Sequence, residues 1–269
     1  MTTHAAQPDP VIDTTVPHSP RIWNYWLGGK DNYEVDRVVG DQFCEIYPDI
    51  VPVARHSRAF LSRAVAHLAG EAGVRQFLDI GTGLPTLDNT HEVAQRTAPD
   101  ARIVYVDNDP IVLAHARALL TSSPDGVTRY IDADLRDPDR IVAEAGAILD
   151  FDQPIALMLL NILGHIEDTG EARSIVKRLL AALPAGSYLV TADGTSEVTG
   201  AAFERAIEIW NEVGRPTYHL RTPAELAGFH EDNELLEPGV VSCSRWRPVE
   251  NPFGLPAQVD EFCAVSRKP

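Results

Sequence analysis

Three acids and one amide close four successive apolar runs: Asp79, Asp107, Asp134 and Asn161. An open α/β sheet presents its ligand at the carboxyl ends of its strands, so these side chains point to a binding site. Asp79 stands two residues before the turn Gly81-Thr82-Gly83. A carboxylate there repels a pyrophosphate and suits a ligand carrying an ammonium or sulfonium charge. The glycines let backbone approach that ligand where a Cβ would hold it off. Asp107, one strand–helix–strand unit later, can accept hydrogen bonds from both hydroxyls of a ribose. Asp134 can accept from an exocyclic amine such as adenine N6, and the following N–H, of Leu135, can donate to the ring. Asn161 can orient a substrate or touch the same ligand. A dinucleotide fingerprint Gly-x-Gly-x-x-Gly is absent, because its third glycine would fall on Thr86.

The elements that must position these residues follow from the apolar pattern. Phe77 to Ile80, Ala101 to Val106, Thr128 to Ile131, Ile155 to Leu160 and Tyr188 to Ala192 read as strands, the fourth apolar enough to be central. Helices alternate with them, over about 89–96, from Asp109-Pro110, from Asp137-Pro138, and from Asp168 with Glu171 as a capping box. This alternation predicts a doubly wound parallel sheet. After it come a helix over about 198–213, a short helix capped by Thr222, a sixth strand around Pro238-Gly239 and a last strand, Phe262 to Val265. Before it, residues 19–73 read as a helical segment covering the site, with helices starting at Ser19-Pro20, over Tyr33 to Ile46, and from Val53 after Pro48 and Pro52. Residues 1–18, rich in Thr, Pro, His and Asp, read as a mobile arm, and 74–269 as the core.

Asp79-Ile80-Gly81-Thr82-Gly83, Val106-Asp107-Asn108-Asp109-Pro110 and Ala133-Asp134-Leu135-Arg136-Asp137-Pro138 together resemble the first three motifs of class I S-adenosylmethionine (SAM) methyltransferases. The third glycine usual in the first motif is Pro85 here. The block Arg21-Ile-Trp-Asn-Tyr-Trp-Leu-Gly-Gly-Lys-Asp-Asn32, followed by Asp36, is similar to that of a SAM-dependent methyltransferase family abundant in actinobacteria, in which Asp replaces Asn24. The resemblance covers the chain from about Pro20 onward. It implies a SAM-binding, Rossmann-like, mostly parallel seven-stranded sheet with an antiparallel last strand and an N-terminal helical extension. It implies no substrate, because few members have an assigned one. Cofactor contacts are expected from Asp79, Gly81, Thr82, Gly83, Asp107, Asn108, Asp134, Leu135 and Asn161. Tyr25 is expected to wall a pocket or stack near the sulfonium, and Lys30 to pair with the methionine carboxylate.

The formal net charge of −16 argues against nucleic-acid and anionic-membrane partners. Three widely spaced cysteines, Cys44, Cys243 and Cys263, fit reduced thiols in a cytoplasmic protein better than a disulfide framework or a zinc site, and the histidines lack metal-ligand spacing. No apolar run approaches the ~18 residues of a membrane helix, and no signal-peptide pattern opens the chain. His165, in the loop after the fourth strand, is the candidate general base, and Ser242 to Arg247 a candidate border of the substrate pocket. The expected activity is in-line methyl transfer from SAM to a small-molecule acceptor, of the kind found in secondary metabolism. Two other readings stand beside it: an enzyme using SAM for non-methyl chemistry, and a non-catalytic SAM-binding regulator.

Overall fold

In the computed structural model of the protein, residues 12–119, 122–249, 252 and 254–269 are described. Helices α1 (Ser19–Trp26), α2 (Glu34–Ile46) and α3 (Ile50–Gly70) come first. The alternating core follows: β1 (Gln76–Ile80), α4 (Thr90–Thr97), β2 (Arg102–Asp107), α5 (Pro110–Leu119), β3 (Val127–Asp132), α6 (Pro138–Ala145), β4 (Ala156–Leu160), α7 (Thr169–Ala182) and β5 (Tyr188–Gly194). The tail holds α8 (Ala201–Val213), α9 (Pro223–Ala227), β6 (Glu234–Leu235), β7 (Val241–Ser242) and β8 (Glu261–Arg267).

The sheet runs β3-β2-β1-β4-β5-β8-β6, with β7 also paired to β8. The first five strands are parallel, and β8 runs antiparallel beside β5. The expected sixth strand is divided by a turn in which the Gly239 N–H donates to Leu236 O at 2.8 Å. Its halves, β6 and β7, both pair with β8, so among the described residues the sheet has eight strands in seven positions. Chain order reverses between β1 and β4, which opens a crevice at their carboxyl ends.

Period-two alternation buries both faces of the sheet. Leu78, Ile80, Val104, Leu157 and Leu159 face α6 and α7, whereas Phe77, Ile103, Tyr105, Ala156 and Met158 face α3 and α4. A third cluster joins α1, α2 and the start of α3 to α8 through Trp26, Phe43, Tyr47, Val53, Phe203 and Trp210.

Three boundaries differ from expectation. Pro52 does not break α3 but lies in its first turn, where the missing N–H has no intrahelical acceptor to lose. Ser19 lies inside α1 rather than capping it, and His18 is the cap. Helix α8 starts at Ala201 rather than near Val198, because the Val198 and Thr199 N–H groups donate to the Asp260 carboxylate at 2.7 and 3.2 Å.

Of the arm, residues 1–11 lie outside the described residues. Residues 12–18 are tied to the helices. The buried Arg21 guanidinium donates to the Asp13 and Val16 carbonyls and pairs with buried Asp36, Nε to Oδ2 at 3.0 Å. Asp36 also accepts from the N–H groups of His18 and Tyr33. Two buried charges are tolerable only when paired and hydrogen-bonded in this way.

Candidate functional site

The glycine turn leaves β1 in a left-handed conformation, with φ of +77° at Gly81 and +65° at Gly83. A Cβ on Gly81 would stand 2.6 Å from the Ile162 side chain, so only glycine fits. Asp107 reaches across from β2. Its Oδ2 accepts from Gly83 N–H at 3.0 Å and its Oδ1 from Asp109 N–H at 2.9 Å. Thr82 Oγ1 lies 2.7 Å from Tyr130 Oη. Asp134, after β3, accepts from the Arg136 N–H at 2.8 Å and from Asn108 Nδ2 at 3.1 Å, which links the ends of β2 and β3.

These groups line one continuous depression over the reversal point. A cleft is lined by Asp79, Gly81 to Gly83, Asp107, Asn108 and Asn161, together with Trp23 and Leu27 of the N-terminal segment. A recess beside it holds Asp134, Leu135 and Ile162 and shares Asp107 and Asn108 with it. The sequence-predicted residues Asp79, Gly81, Thr82, Gly83, Asp107, Asn108, Asp134, Leu135, Asn161 and His165 are thus brought together.

Tyr25 and Lys30 are not. Tyr25 turns toward α2, where its hydroxyl donates to Asp41 at 2.6 Å. Lys30 is exposed in the loop after α1. That loop is folded around buried Asn24, whose Oδ1 accepts from Asp31 N–H at 3.0 Å and Asn32 Nδ2 at 2.9 Å. A carbonyl oxygen serves there as well as a carboxylate would. Of Ser242 to Arg247, Trp246 packs edge-on against Phe60 in the core, with centroids 5.5 Å apart, while Cys243 donates to Glu261 at 3.4 Å.

Sequence reasoning missed Arg58. It projects from α3 into the cleft, and its Nη2 donates to the Leu87 and Asp88 carbonyls at 3.2 and 3.1 Å. Its buried Nε has no partner among the described residues. No sequence signal marked it, because α3 reads as an ordinary amphipathic helix and its register over β1 is a tertiary property.

Burial pushes Asp79 up to about 6, against the lowering effect of the Thr90 hydroxyl (2.6 Å) and the Arg58 charge. Burial likewise pushes Asp107 up to about 6, offset by the Asp109 and Gly83 N–H groups. A folded protein that binds these protons more tightly than the unfolded chain is favoured at low pH. That contribution is lost as pH rises through about 6. A cationic, hydroxyl-bearing ligand requires the ionised carboxylates, so its binding must release protons below that pH. SAM affinity is therefore expected to be flat above about pH 7 and to fall roughly tenfold per pH unit for each carboxylate that protonates below pH 6. Calorimetry in buffers of different ionisation enthalpy measures both the affinity and the protons released, and a pH-independent affinity with no proton release would contradict this.

His165 sits in a 3-10 turn after β4 and lines the cleft, the recess and a third chamber. Its Nδ1 lies 2.7 Å from Thr217 O. A carbonyl only accepts, so Nδ1 carries the hydrogen and Nε2 has a free lone pair. Burial lowers its pKa to about 4, against the raising effect of the Thr217 carbonyl. The ring is neutral at physiological pH. It is a good hydrogen-bond acceptor but a weaker base than the expected role calls for.

The third chamber lies between α1, α2 and α8 and has aromatic walls from Trp23, Trp26, Phe43, Phe203, Trp210 and Tyr218. It shares Ser19, Trp23, Asn161 and His165 with the cleft. Among the described residues no group of His, Cys, Asp and Glu could hold a metal ion, and no helix is long and apolar enough to cross a membrane.

A reversal-point cleft with an acid at the end of each of β1 and β2, a third acid just after β3, an orphaned guanidinium N–H and a glycine turn without a phosphate loop fits SAM, and defines the class of SAM-dependent methyltransferases. The chain belongs to the S-adenosyl methyltransferase family, whose model matches residues 5–269, and SAM is its cofactor. It is similar to a DUF574 family protein from Streptomyces avermitilis MA-4680 (43% identity, TM-score 0.90, covering 96% of this chain and 99% of that one). It is also similar to a methyltransferase-like protein from Thermobifida fusca YX (39% identity, TM-score 0.88, covering 98% and 99%). The plantazolicin methyltransferase BpumL, solved with S-adenosylhomocysteine (SAH), shares the fold at 14% identity and a TM-score of 0.50, covering 93% and 95%. No curated protein matches the chain.

Proposed function

We propose that the protein transfers the methyl group of SAM to a small-molecule acceptor held in the aromatic chamber. The observation that carries this reading is the adjacency of chamber and cleft through Asn161, Trp23 and His165. Bound SAM supplies a methyl group on a sulfonium leaving group, so the chain's task is alignment and exclusion of water. Asp107 accepts from the ribose hydroxyls. Asp134 and the Leu135 N–H address the adenine edge, with Asn108 bracing Asp134. Asp79 and the turn Gly81-Thr82-Gly83 face the ammonium end, and Arg58 replaces Lys30 as partner of the methionine carboxylate. Asn161 and the His165 Nε2 orient the acceptor. Trp23 and Leu27 roof the cleft and keep water out. The net charge and the confined, apolar chamber favour a small molecule over a nucleic acid.

The test is incubation with methyl-tritiated SAM and the dialysable fraction of a Streptomyces extract, with tRNA and protein fractions alongside. Label in the dialysable fraction, with SAH formed in equal amount, is the expected result. Label confined to the macromolecules, or methylthioadenosine as product, would overturn the proposal.

A further inference from the structure

The aromatic chamber ends on a carboxylate that the methyltransferase motifs do not include. Glu261, the first residue of β8, is fully buried and lines the chamber. Its Oε1 accepts from Asn161 Nδ2 at 3.2 Å and from Cys243 Sγ at 3.4 Å. Its Oε2 has no partner among the described residues. Asp193 lies on the adjacent strand, where Gly194 pairs with Glu261. Asp193 is also fully buried, with Oδ1 accepting from Gly164 N–H at 3.0 Å and Tyr218 Oη at 2.8 Å, and with Oδ2 unpartnered.

No ion pair among the described residues engages either carboxylate. Arg221 bears on Asp193, but its Nη groups donate to the Leu163 and Ile166 carbonyls. Two buried acids without a cation are costly, and a partner brought by a ligand removes that cost. Aromatic faces around a carboxylate attract an organic cation through both ring quadrupole and charge.

We propose that the chamber binds a small organic amine with an aromatic or other apolar body, and that Glu261 pairs with its nitrogen and takes its proton. This rests on the chamber being the acceptor site of the methyl transfer described above. The amine enters as an ammonium ion and passes one proton to the Glu261 carboxylate. The freed nitrogen lone pair attacks the methyl carbon. A carbon–nitrogen bond forms, the carbon–sulfur bond breaks, and its electron pair stays on sulfur to give neutral SAH. The product leaves as a methylated ammonium ion, and Glu261 returns its proton to solvent. Burial raises Glu261 to about 7, against the lowering influence of the nearby Ser57, Cys243 and Asn161 side chains and with Asp193 adding to the rise. A base of that strength is matched to neutral pH, unlike His165. The other titratable groups bearing on it are Cys243 and Tyr218, both held neutral by pKa values well above their ordinary ones, mainly through burial.

Binding is the readout, with the full chain saturated with SAH. Phenethylamine, tryptamine and cyclohexylamine are titrated calorimetrically, with 3-phenylpropanoate as the anionic control. At least one amine is expected to bind and the anion to bind none. Glu261→Gln is expected to weaken amine binding about tenfold or more while leaving SAH affinity unchanged. Wild-type amine affinity should also fall below about pH 7 as Glu261 protonates. Binding of no amine to the SAH complex, binding of the anion as tightly as the amines, or full amine affinity in the folded Glu261→Gln variant would each overturn the proposal. In all three cases the cofactor assignment would stand. Failure of the wild-type chain to bind SAH would instead overturn the reading beneath it.

Discussion

Asp107→Ala loses SAM binding without losing the fold. In the proposed binding mode the carboxylate accepts from both ribose hydroxyls, and charge-assisted hydrogen bonds contribute about 1.5–3 kcal/mol each. Their joint loss is about 3–6 kcal/mol, roughly 10²- to 10⁴-fold in Kd. The effect on folding is much smaller, for a reason visible in the unliganded site. Asp107 accepts from the Gly83 and Asp109 N–H groups, yet burial holds its pKa at about 6, so the ionised form is less comfortable there than in water. Removing it gives up two hydrogen bonds and a desolvation penalty together. Thermal unfolding should therefore shift by only a few degrees, on the order of 1 kcal/mol. Asp107→Asn, which keeps one acceptor oxygen, should fall between alanine and wild type. Unchanged SAM affinity in the folded alanine variant would remove Asp107 from the site.

The second large effect is expected at Arg58, where stability and binding separate under a double substitution. Its charge is one of the influences that hold Asp79 as low as it is, its side chain lines the cleft, and its buried Nε has no partner among the described residues. Arg58→Met keeps the apolar stem but leaves Asp79 buried with only the Thr90 hydroxyl for support. Arg58 stands beyond ion-pair distance of Asp79, so its loss removes a longer-range attraction, on the order of 1 kcal/mol. Asp79 is then driven further up, toward the neutral form at pH 7. SAM affinity should fall roughly 10²-fold or more, through the lost carboxylate partner and the lost Asp79 charge. Adding Asp79→Asn should recover much of the stability, since no uncompensated charge remains, but none of the affinity. Denaturant melts and calorimetric titrations of the two single variants and the double variant give the coupling directly. Additive stability losses would show that the two side chains do not interact.

What was legible in the sequence was the part written in local pattern. Period-two and period-3.6 apolar spacing marked every strand and helix of the alternating core, and capping at Asp137, Asp168 and Thr222 placed the helix starts closely. Acids at strand ends marked the cofactor side, because strand ends converge whenever the sheet is parallel. The site's other half depends on contacts between distant segments. Arg58 reaches the cleft only because α3 packs against α4 beside β1. Glu261 reads in sequence as the edge of an apolar run, and becomes a chamber floor only when β8 inserts beside β5. Tyr25 and Lys30 share a helix and its following loop with Trp23, yet a helix turns each residue by 100°. Trp23 faces the site, Tyr25 faces α2, and Asn24 folds the loop bearing Lys30 back on itself.

The cleft over β1, β2 and β4 is the proposed SAM site. Calorimetric titration of the intact protein with SAM and SAH, with NAD as control, is its sharpest test. Saturable one-to-one binding of SAM and SAH and no heat from NAD are expected, because Asp79 opposes a pyrophosphate where it would welcome an ammonium group. Binding of NAD, or binding of neither SAM nor SAH, would contradict it.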